Sequence, residues 1–434
     1  MIYDNLPEKP EILSPAGNFE KLKSALLFGA DAVYFAGKNF GMRAAADNFT
    51  LGETEQACLY AHERGKKLYL TVNTVPKSCD IAGLEIYLNE IKNLKDKPDA
   101  VICADIGVVA LVKKIMPGMD IHISTQANTQ NYLTCAAWAE LGAKRVILSR
   151  ELSFSDIKEI KDNLIKNNIN IELECFIHGS MCVSYSGRCL LSNYFVSRDA
   201  NKGACTQPCR WKYYLAEEQR PNAYLKIEED ENGTFLFSSK DLCMIEHIDN
   251  LVMSNINAFK IEGRMKSAYY TASITNAYRM ALDSFYNTGK TDAELTRKLK
   301  EEVESVSHRE YDTGFFYGSP ETDAKICNNP EYIREKAYLG ICVGREYDGE
   351  NHNAIAVFEQ KNKIVLNQKA QILSPSCLGE DLYVGNLYGE NNQPIESAPH
   401  PHMIFKIKID GSIKNRNGIW RQKEIKPGDI LRSV

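Results

Sequence analysis

The chain has 434 residues, of which 44% are hydrophobic and 25% charged, and its net charge is −5. That composition is typical of a globular protein, and the mildly acidic balance excludes a surface that is basic throughout. No stretch reaches the roughly 20 apolar residues that cross a membrane, and the N-terminus lacks the pattern of a signal peptide. We therefore expect a cytoplasmic protein with no membrane partner, whose thirteen cysteines are reduced.

The chain up to residue 264 alternates short apolar runs with amphipathic helical patterns. Strands that alternate with helices predict a parallel sheet, because parallel neighbours need a crossover connection. Eight such units favour an α/β fold of the (β/α)8 TIM-like barrel type. A doubly wound sheet is the alternative, but no GxGxxG or GxxxxGK motif supports it. The runs begin at Glu11, Ala32, Leu68, Ala100, Ile121, Arg145, Ile171 and Ala258.

Polar and charged side chains follow these runs, at the end of a barrel where active sites lie. One such residue is more often a loop cap, but convergence from several strands favours a site. Guanidinium and ammonium groups bind carboxylate or phosphate, so the sequence predicts an anion site. The cations are Arg43, Arg150, Lys260 and Arg264.

A cysteine-rich segment, residues 178–256, interrupts the pattern after the seventh strand. Basic and aromatic residues are interleaved with its thiols, which suggests a soft-metal or cluster site beside an anionic ligand that contains a base. An insertion of this length over the catalytic end of a barrel is typical of a lid or a second binding surface. The cysteines in and just before it are Cys175, Cys182, Cys189, Cys205, Cys209 and Cys243.

The spacing of these cysteines leaves three possibilities open. Structural zinc usually shows two tight pairs, and only Cys205 and Cys209 are that close. Widely spaced thiolates suit an iron–sulfur cluster at least as well, and a site without metal is the third possibility. A Cys/His nucleophile from Cys182 and His178 is a further option, but nothing in the sequence supplies an oxyanion hole.

After the eighth run, helical patterns cover 267–285 and 292–306, and irregular sequence follows. From residue 336 the pattern changes to short alternating segments separated by Asn, Gly and Pro-Gly turns. This change predicts a separate small all-β barrel. The expected domains are a catalytic barrel at 1–306 including the insertion, a linker at 307–335 and a β domain at 336–434.

The segment from Glu174 to Ser192 resembles the signature of the collagenase-like peptidase family, in the residues Glu174, Phe176, Gly179 to Cys182, Gly187, Cys189, Leu191 and Ser192. The resemblance continues along nearly the whole chain. Its length and its appended β module are similar to the branch of the family that hydroxylates tRNA. Further matching stretches are LSPAG, STQAN, SREL, NKGACTQPCRWKY, SSKDLC, KIEGRMKS and SHREY.

The resemblance implies oxygen-independent hydroxylation at C5 of the wobble uridine in tRNA, with a [4Fe–4S] cluster and with prephenate as co-substrate. Related members hydroxylate ribosomal RNA or the ubiquinone ring. A peptidase, as the family name suggests, and a non-catalytic RNA-binding factor with a structural zinc or cluster are the alternatives. By the family's spacing the cluster ligands are Cys182, Cys189, Cys205 and Cys243, with Cys209 in reserve.

Each part of this expected site has residues of suitable chemistry. The four cations suit the two carboxylates of prephenate, and the β domain is expected to hold the body of the tRNA. An anticodon loop exposes bases for stacking and phosphates for ion pairs, although the aromatic residues suit packing over the cluster equally well. The candidates for proton transfer are Glu174, His178 and Glu262. The candidates for RNA contacts are Arg188, Arg198, Arg210, Tyr185, Tyr194 and Trp211.

Overall fold

The structure is a computed structural model, and it describes part of the chain. The described residues are 6–43, 46–182, 184, 187–211, 215–217, 220–225, 229–230, 233–234, 239–318, 332–347, 354–409, 413–414, 420–421 and 424–434.

Eight parallel strands form a closed barrel in the first part of the chain. The strands up to residue 312 are β1 (Glu11–Pro15), β2 (Ala32–Ala36), β3 (Lys67–Val72), β4 (Ala100–Cys103), β5 (Asp120–Ile123), β6 (Arg145–Ile147), β7 (Glu172–Ser180), β8 (Leu215–Glu217), β9 (Arg220–Leu225), β10 (Glu229–Asp230), β11 (Gly233–Thr234), β12 (Asp241–Cys243), β13 (Ala258–Ile261) and β14 (Tyr311–Asp312). Strands β1 to β7 are neighbours in sequence order, and β13 pairs with both β7 and β1. The predicted barrel is confirmed.

Helices connect the strands and cover the barrel. They are α1 (Phe19–Leu27), α2 (Leu51–His62), α3 (Ile81–Asn93), α4 (Ile106–Ile115), α5 (Tyr132–Glu140), α6 (Phe154–Lys166), α7 (Leu191–Val196), α8 (Ile248–Met253), α9 (Ala268–Thr288) and α10 (Ala293–Glu304). Most begin at a side chain that accepts a backbone N–H of the first turn, as Asn18 does for α1 and Ser267 for α9. Such caps fix where each strand-to-helix loop ends.

The cysteine-rich insertion lies after β7, as predicted. Its strand β12 runs antiparallel to the end of β7, with Asp241 opposite Ser180 and Cys243 opposite His178. Short helix α7 lies in the same insertion. Because β12 extends the barrel sheet, the insertion is anchored to the strand from which it begins.

The C-terminal part is an all-β domain with its own core, as predicted. Its strands are β15 (Tyr338–Tyr347), β16 (Ala354–Gln360), β17 (Ile364–Val365), β18 (Lys369–Leu373), β19 (Glu380–Tyr383), β20 (Tyr388–Gly389), β21 (Ser397–Ala398), β22 (Ile404–Ile409), β23 (Ile413–Lys414), β24 (Trp420–Arg421) and β25 (Ile430–Ser433). Nine of them form one antiparallel sheet around buried residues that include Phe358 and Phe405. The predicted boundaries at 306 and 336 fall between α10 and β15.

A buried ion pair joins the two domains. Arg432, fully buried on β25, lies 2.7 Å from a carboxylate oxygen of Glu302 on α10. Its guanidinium also donates to Tyr269 Oη and Ser305 Oγ of the barrel domain. A buried charge that has lost its partner is strongly destabilising, so Arg432 and Glu302 are both needed at this interface. In the described part of the chain, no helix is long and apolar enough to cross a membrane.

Candidate active site and cysteine cluster

A polar cavity opens at the carboxyl ends of the barrel strands. It encloses ≈ 480 Å³, including the open space at its mouth. The residues that line it include Tyr34, Arg43, Thr71, Asn73, Ser124, Gln126, Arg150, Phe176, Lys260, Glu262 and Arg264. The structure thus brings together all four predicted cations and Glu262 in one place. The wall of the cavity carries amides and hydroxyls on or directly after β3 and β5, and cations on or directly after β13. This combination suits a polar anionic ligand.

Glu262 is the carboxylate of this cavity. Tyr34 Oη donates to it at 3.2 Å, and guanidinium groups of Arg43 and Arg150 lie 3.8 and 4.0 Å away. Burial raises the pKa of Glu262, but Arg43, Arg150 and Arg264 outweigh that effect, so the pKa is lowered from its ordinary value. Glu262 is therefore ionised near neutral pH and able to accept a proton.

Two arginines in the cavity have polar atoms without a partner. Arg264 is buried, and among the described atoms its Nη1 has no hydrogen-bond acceptor. Arg150 Nη1 donates to Ser180 O at 2.7 Å, whereas its Nε has no acceptor in the same part of the structure. Because an unsatisfied buried donor is costly, both atoms indicate a place where a ligand oxygen binds.

Glu174 lies deeper in the barrel and not at the cavity wall. It is 0% exposed, and its two oxygens bind Lys260 Nζ at 2.9 Å and Arg145 Nη1 at 3.2 Å. Arg145 in turn binds Glu11 and Glu172. Glu174 is thus a partner in a buried ion network that holds Lys260, and its carboxylate has no oxygen directed at the cavity.

His178, on β7, also lies apart from the cavity, and its ring contacts α9 and β14. Its Nδ1 is 3.3 Å from Tyr278 Oη and its Nε2 is 3.3 Å from Tyr311 Oη. Burial lowers the pKa of His178 to about 3, so the imidazole is neutral. Of the three predicted proton-transfer candidates, only Glu262 lines the cavity.

His178 predicts a pH dependence of stability. The folded-state pKa of His178 lies below the ordinary value of 6.5. The folded protein therefore keeps its full stability with respect to this residue above pH 6.5, and loses stability as the pH falls towards 3 and the unfolded state alone takes up the proton. We expect His178→Gln, which keeps polar contacts but does not titrate, to reduce that loss by up to about 1.4 kcal/mol per pH unit. Denaturant unfolding of both proteins between pH 7 and 4 measures the difference. Identical pH profiles would show that His178 is not buried as a neutral group.

Four cysteines of the insertion are neighbours. Burial raises the pKa of the Cys209 thiol, Arg210 opposes this, and Cys182, Cys205 and Cys189 raise it further. Such electrostatic effects fall off with distance, so the thiols of Cys182, Cys189 and Cys205 lie in the neighbourhood of Cys209. The backbone N–H of Gln207 donates to Cys205 Sγ at 3.3 Å. Among the described residues, no three His, Cys, Asp or Glu side chains are grouped closely enough to hold one metal ion.

Cys243, the fourth ligand implied by the family's spacing, is placed differently. It is buried on β12 opposite His178, whereas Ser180, two residues before Cys182, is opposite Asp241. Cys182 lies four residues after His178, the strand partner of Cys243, and two residues beyond the end of β7; four residues of extended chain span about 13 Å. The pKa of Cys243 is raised to about 11, first by burial, and its thiol contacts Tyr278. The main charges that shift the pKa of Cys209 include those of Cys182, Cys189 and Cys205, whereas those that shift the pKa of Cys243 are Lys300 and Glu246.

The insertion packs onto the rim of the cavity through two glycines with positive φ. A Cβ at Gly187 would lie 2.3 Å from Gln126 O, and one at Gly203 would lie 3.0 Å from Gly41 O. Both contacts border the cavity, which Gln126 and Arg43 line. The backbone of the cysteine-rich segment can approach so closely only because these positions carry no side chain.

The outer face of the insertion carries exposed aromatic and basic residues. Tyr194 is 84% exposed, and its ring packs edge-on against Phe195, which contacts Trp211. We call Tyr194, Phe195 and Trp211 the aromatic patch. Arg188 and Arg198 are exposed on the same insertion, whereas Arg210 donates to Tyr332 Oη at 3.0 Å. Tyr185, also predicted to contact RNA, lies outside the described residues.

Tyr34 and Thr71 are among the polar residues of the cavity that sequence reasoning missed. Tyr34 contacts Glu262 and Ile261 O, and Thr71 Oγ1 is buried with no partner among the described atoms. Both lie within apolar strand sequences. A single polar group in the middle of such a run was the available signal, because its side chain must face a polar interior or a ligand.

Comparison with known proteins assigns the chain to a family. Residues 17–326 match peptidase family U32, and residues 334–432 match the C-terminal domain of that family. The tRNA hydroxylation protein P1 of Bacillus subtilis is 34% identical over 419 residues, which cover 96% of each chain. The tRNA hydroxylation protein P of Escherichia coli is 35% identical over 407 residues, 85% of this chain and 86% of the relative.

A relative with a different name is also similar. The collagenase of Porphyromonas gingivalis is 30% identical over 337 residues, which cover 76% of this chain and 79% of that protein. The resemblance to the collagenase-like peptidases is therefore confirmed. Since the matched regions span most of the barrel and nearly all of the β domain, the chain belongs to peptidase family U32.

Proposed function

We propose that this protein hydroxylates tRNA in the cytoplasm, at C5 of the wobble uridine, without molecular oxygen and with prephenate as co-substrate. Relatives named for tRNA hydroxylation that align along both domains support the reaction. The observation that carries the proposal is a cavity with arginine donors that lack a partner among the described residues, against whose rim the cysteine-rich segment packs. This geometry suits a small anion and a flipped base held side by side.

The cavity supports binding of a dicarboxylate. Three arginines, Arg43, Arg150 and Arg264, face one carboxylate of the protein, Glu262. Lys260 is neutralised by Glu174 and is therefore less available to a ligand. The excess of cations is about two charges, which matches the two carboxylates of prephenate.

The cysteines of the insertion supply the ligand type and the number of ligands that a [4Fe–4S] cluster requires, and they would draw closer together to hold it. Four neighbouring thiols provide one ligand for each iron, and an N–H donor to Cys205 Sγ is a type of contact that tunes such clusters. We propose Cys182, Cys189 and Cys205 as ligands, with Cys209 as the fourth in this arrangement and Cys243 as the fourth by the family's spacing. A cluster bound there would supply electron transfer at the rim of the cavity. Zinc stays the alternative occupant of the same thiols.

The remaining roles belong to Glu262 and to the surface of the insertion. Glu262 is ionised and held by Tyr34, so its carboxylate is suited to accept a proton from the uridine or the co-substrate. The aromatic patch suits stacking of unpaired anticodon bases, and Arg188 and Arg198 suit the phosphates next to them. The wobble base would leave its stack to enter the cavity.

A peptidase mechanism has weaker support in the described residues. It would pair His178 with Cys182 as base and nucleophile. Instead, both imidazole nitrogens contact tyrosine hydroxyls, and burial keeps the ring neutral. We therefore do not propose that this protein is a collagenase, as the Porphyromonas gingivalis relative is named.

The proposal is tested by nucleoside analysis of tRNA from a strain without this gene. We expect 5-hydroxyuridine derivatives to disappear, to return with the wild-type protein, and to stay absent with Arg264→Met, because the cavity loses a buried anion-binding donor. Arg64→Met, an exposed arginine at the opposite end of the barrel, is the matched control and should restore the modification. An unchanged tRNA profile in the deletion strain would refute the proposed substrate.

A further inference from the structure

A second group of cations lies outside the cavity, where the barrel, the insertion and the segment after residue 331 meet. Lys266, five residues after the end of β13, donates from Nζ to Ser307 O at 2.8 Å. The same Nζ lies 4.4 Å from the ring centroid of Tyr332 and 5.4 Å from that of Tyr270. Arg210 of the insertion donates to Tyr332 Oη at 3.0 Å. Tyr332 thus has one cation at its ring face and another at its hydroxyl.

Arg334 belongs to the same group. Ile333 and His308 form an antiparallel bridge, with backbone hydrogen bonds of 2.8 and 3.1 Å in both directions. In extended backbone, alternate side chains point to the same side, so Tyr332 and Arg334 share the side opposite to Ile333. Arg334 is exposed, and Tyr332 is 38% exposed. The group is therefore open to a large partner.

Two carboxylates near this group, Asp241 and Glu310, already have partners. Asp241 binds Arg309 at 2.6 Å, and Glu310 lies 3.7 Å from Lys240. Within the described part of the chain, Arg210, Lys266 and Arg334 form no ion pair with a carboxylate. The pKa of Lys266 is lowered to about 8, first by burial and then by Arg309, Arg210 and Arg334, although Asp241 opposes this. Among the described residues, three cations are thus held together without a direct carboxylate partner, although Asp241 offsets part of the charge of Lys266.

We infer that Arg210, Lys266 and Arg334 bind a phosphodiester of the RNA backbone, in addition to the arginines expected at the aromatic patch. Guanidinium and ammonium groups bind phosphate oxygens, and an unbalanced cluster of them gains most from a charged partner. The inference rests on the proposed tRNA substrate. Continuity along the chain favours an extended polyanion over a free phosphate, because Arg210 directly precedes Trp211 of the aromatic patch. One strand of RNA could then contact both.

The test is the salt dependence of tRNA binding by the full-length protein. The plot of log K against log salt concentration has a negative slope. Each phosphate contact that is lost should make this slope shallower by about 0.7 to 0.9. We expect that change for Arg334→Gln and for Lys266→Gln, and no change for Lys97→Gln, an exposed lysine that precedes β4 at the opposite end of the barrel. Arg334 is exposed, so its variant folds even if removal of Lys266 disturbs the local structure.

The outcomes separate this site from the proposed function. Slopes equal to wild type in both variants, with tight wild-type binding, would overturn the phosphate site and leave tRNA hydroxylation standing. A shallower slope in both variants, equal for tRNAs of different sequence, supports a backbone contact. Two results together would overturn both proposals: the wild-type protein binds no tRNA, and the tRNA of the deletion strain is modified normally. If the variants bind more weakly only to tRNAs with a particular anticodon, these residues recognise bases and not the backbone, which would overturn the inference.

Discussion

Replacement of Cys189 by serine is expected to abolish tRNA hydroxylation and to remove the bound iron. Cys189 is a ligand in both proposed ligand sets, and a serine hydroxyl is a poor substitute for a thiolate at an iron site. The protein should still fold, because Cys189 lies in the insertion and not in the barrel core. Iron content, visible absorption of anaerobically purified protein and nucleoside analysis measure the effect.

Three further cysteine variants make this test specific. Cys79→Ser, at an exposed thiol outside the insertion, should keep iron and activity. Cys209→Ser should lose both if Cys209 is the fourth ligand, whereas Cys243→Ser should then keep the iron. The reverse result would show that the family's spacing is the better guide and that β12 shifts when a cluster binds. Full activity of Cys189→Ser, or zinc in place of iron, would refute the proposed cluster.

Replacement of Glu174 by glutamine is expected to cost about 3–5 kcal/mol of folding free energy, which is typical when one partner of a buried ion pair is removed. Glutamine keeps the shape but leaves Lys260 without its carboxylate and places an amide N–H₂ next to two cations. Burial already lowers the pKa of Lys260, and Glu174 opposes that shift, so the variant should favour neutral Lys260. The midpoint of denaturant unfolding measures the loss.

Glu172→Gln is the matched control for this prediction. Its carboxylate binds the same Arg145 at 2.7 Å, but its side chain is 32% exposed, so water can replace the contact. We expect a change below about 1 kcal/mol. If Glu174→Gln unfolds like the wild type and yet has no hydroxylation activity, Glu174 acts in catalysis as the sequence predicted, and Glu262 loses its place as the proposed proton acceptor.

The contact between the insertion and the rim of the cavity links the two proposed parts of the reaction. Gly187 and Gly203 allow the insertion to contact the loops that carry Gln126 and Arg43. A cluster held by the insertion would therefore lie next to a ligand bound by the arginines. In the proposed reaction, the barrel would supply the anion site, and the insertion would supply the thiols and the exposed surface for RNA.

Much of the fold followed from periodicity alone. The alternation of apolar runs with amphipathic helices predicted all eight barrel strands in order, because every crossover connection needs a helix with an apolar face. The change to short alternating segments after residue 336 predicted the β domain. The positions of the cations at strand ends predicted the cavity, since the carboxyl ends of barrel strands converge.

The roles of individual acids and cysteines could not be predicted in the same way. The sequence predicted all three acid–base candidates at the ends of neighbouring strands, but Glu174 is the third residue of β7, and of the three only Glu262 lines the cavity. The register between β7 and β13 shifts at Lys260 and Ile261, and this shift helps to decide where the side chains at the strand ends point. No periodic pattern in the sequence reports such a shift.

The sequence by itself determined the order of the elements, the family and the set of candidate residues. Tertiary structure decided which candidates meet, because the partners are far apart in the chain: Lys260 and Glu174 are separated by 86 positions, and Arg145 and Glu11 by 134. A buried carboxylate becomes a structural counter-ion or a reactive group according to the charges that packing places beside it. Those contacts join residues that are distant in the chain, so the composition and spacing of a local segment do not predict them.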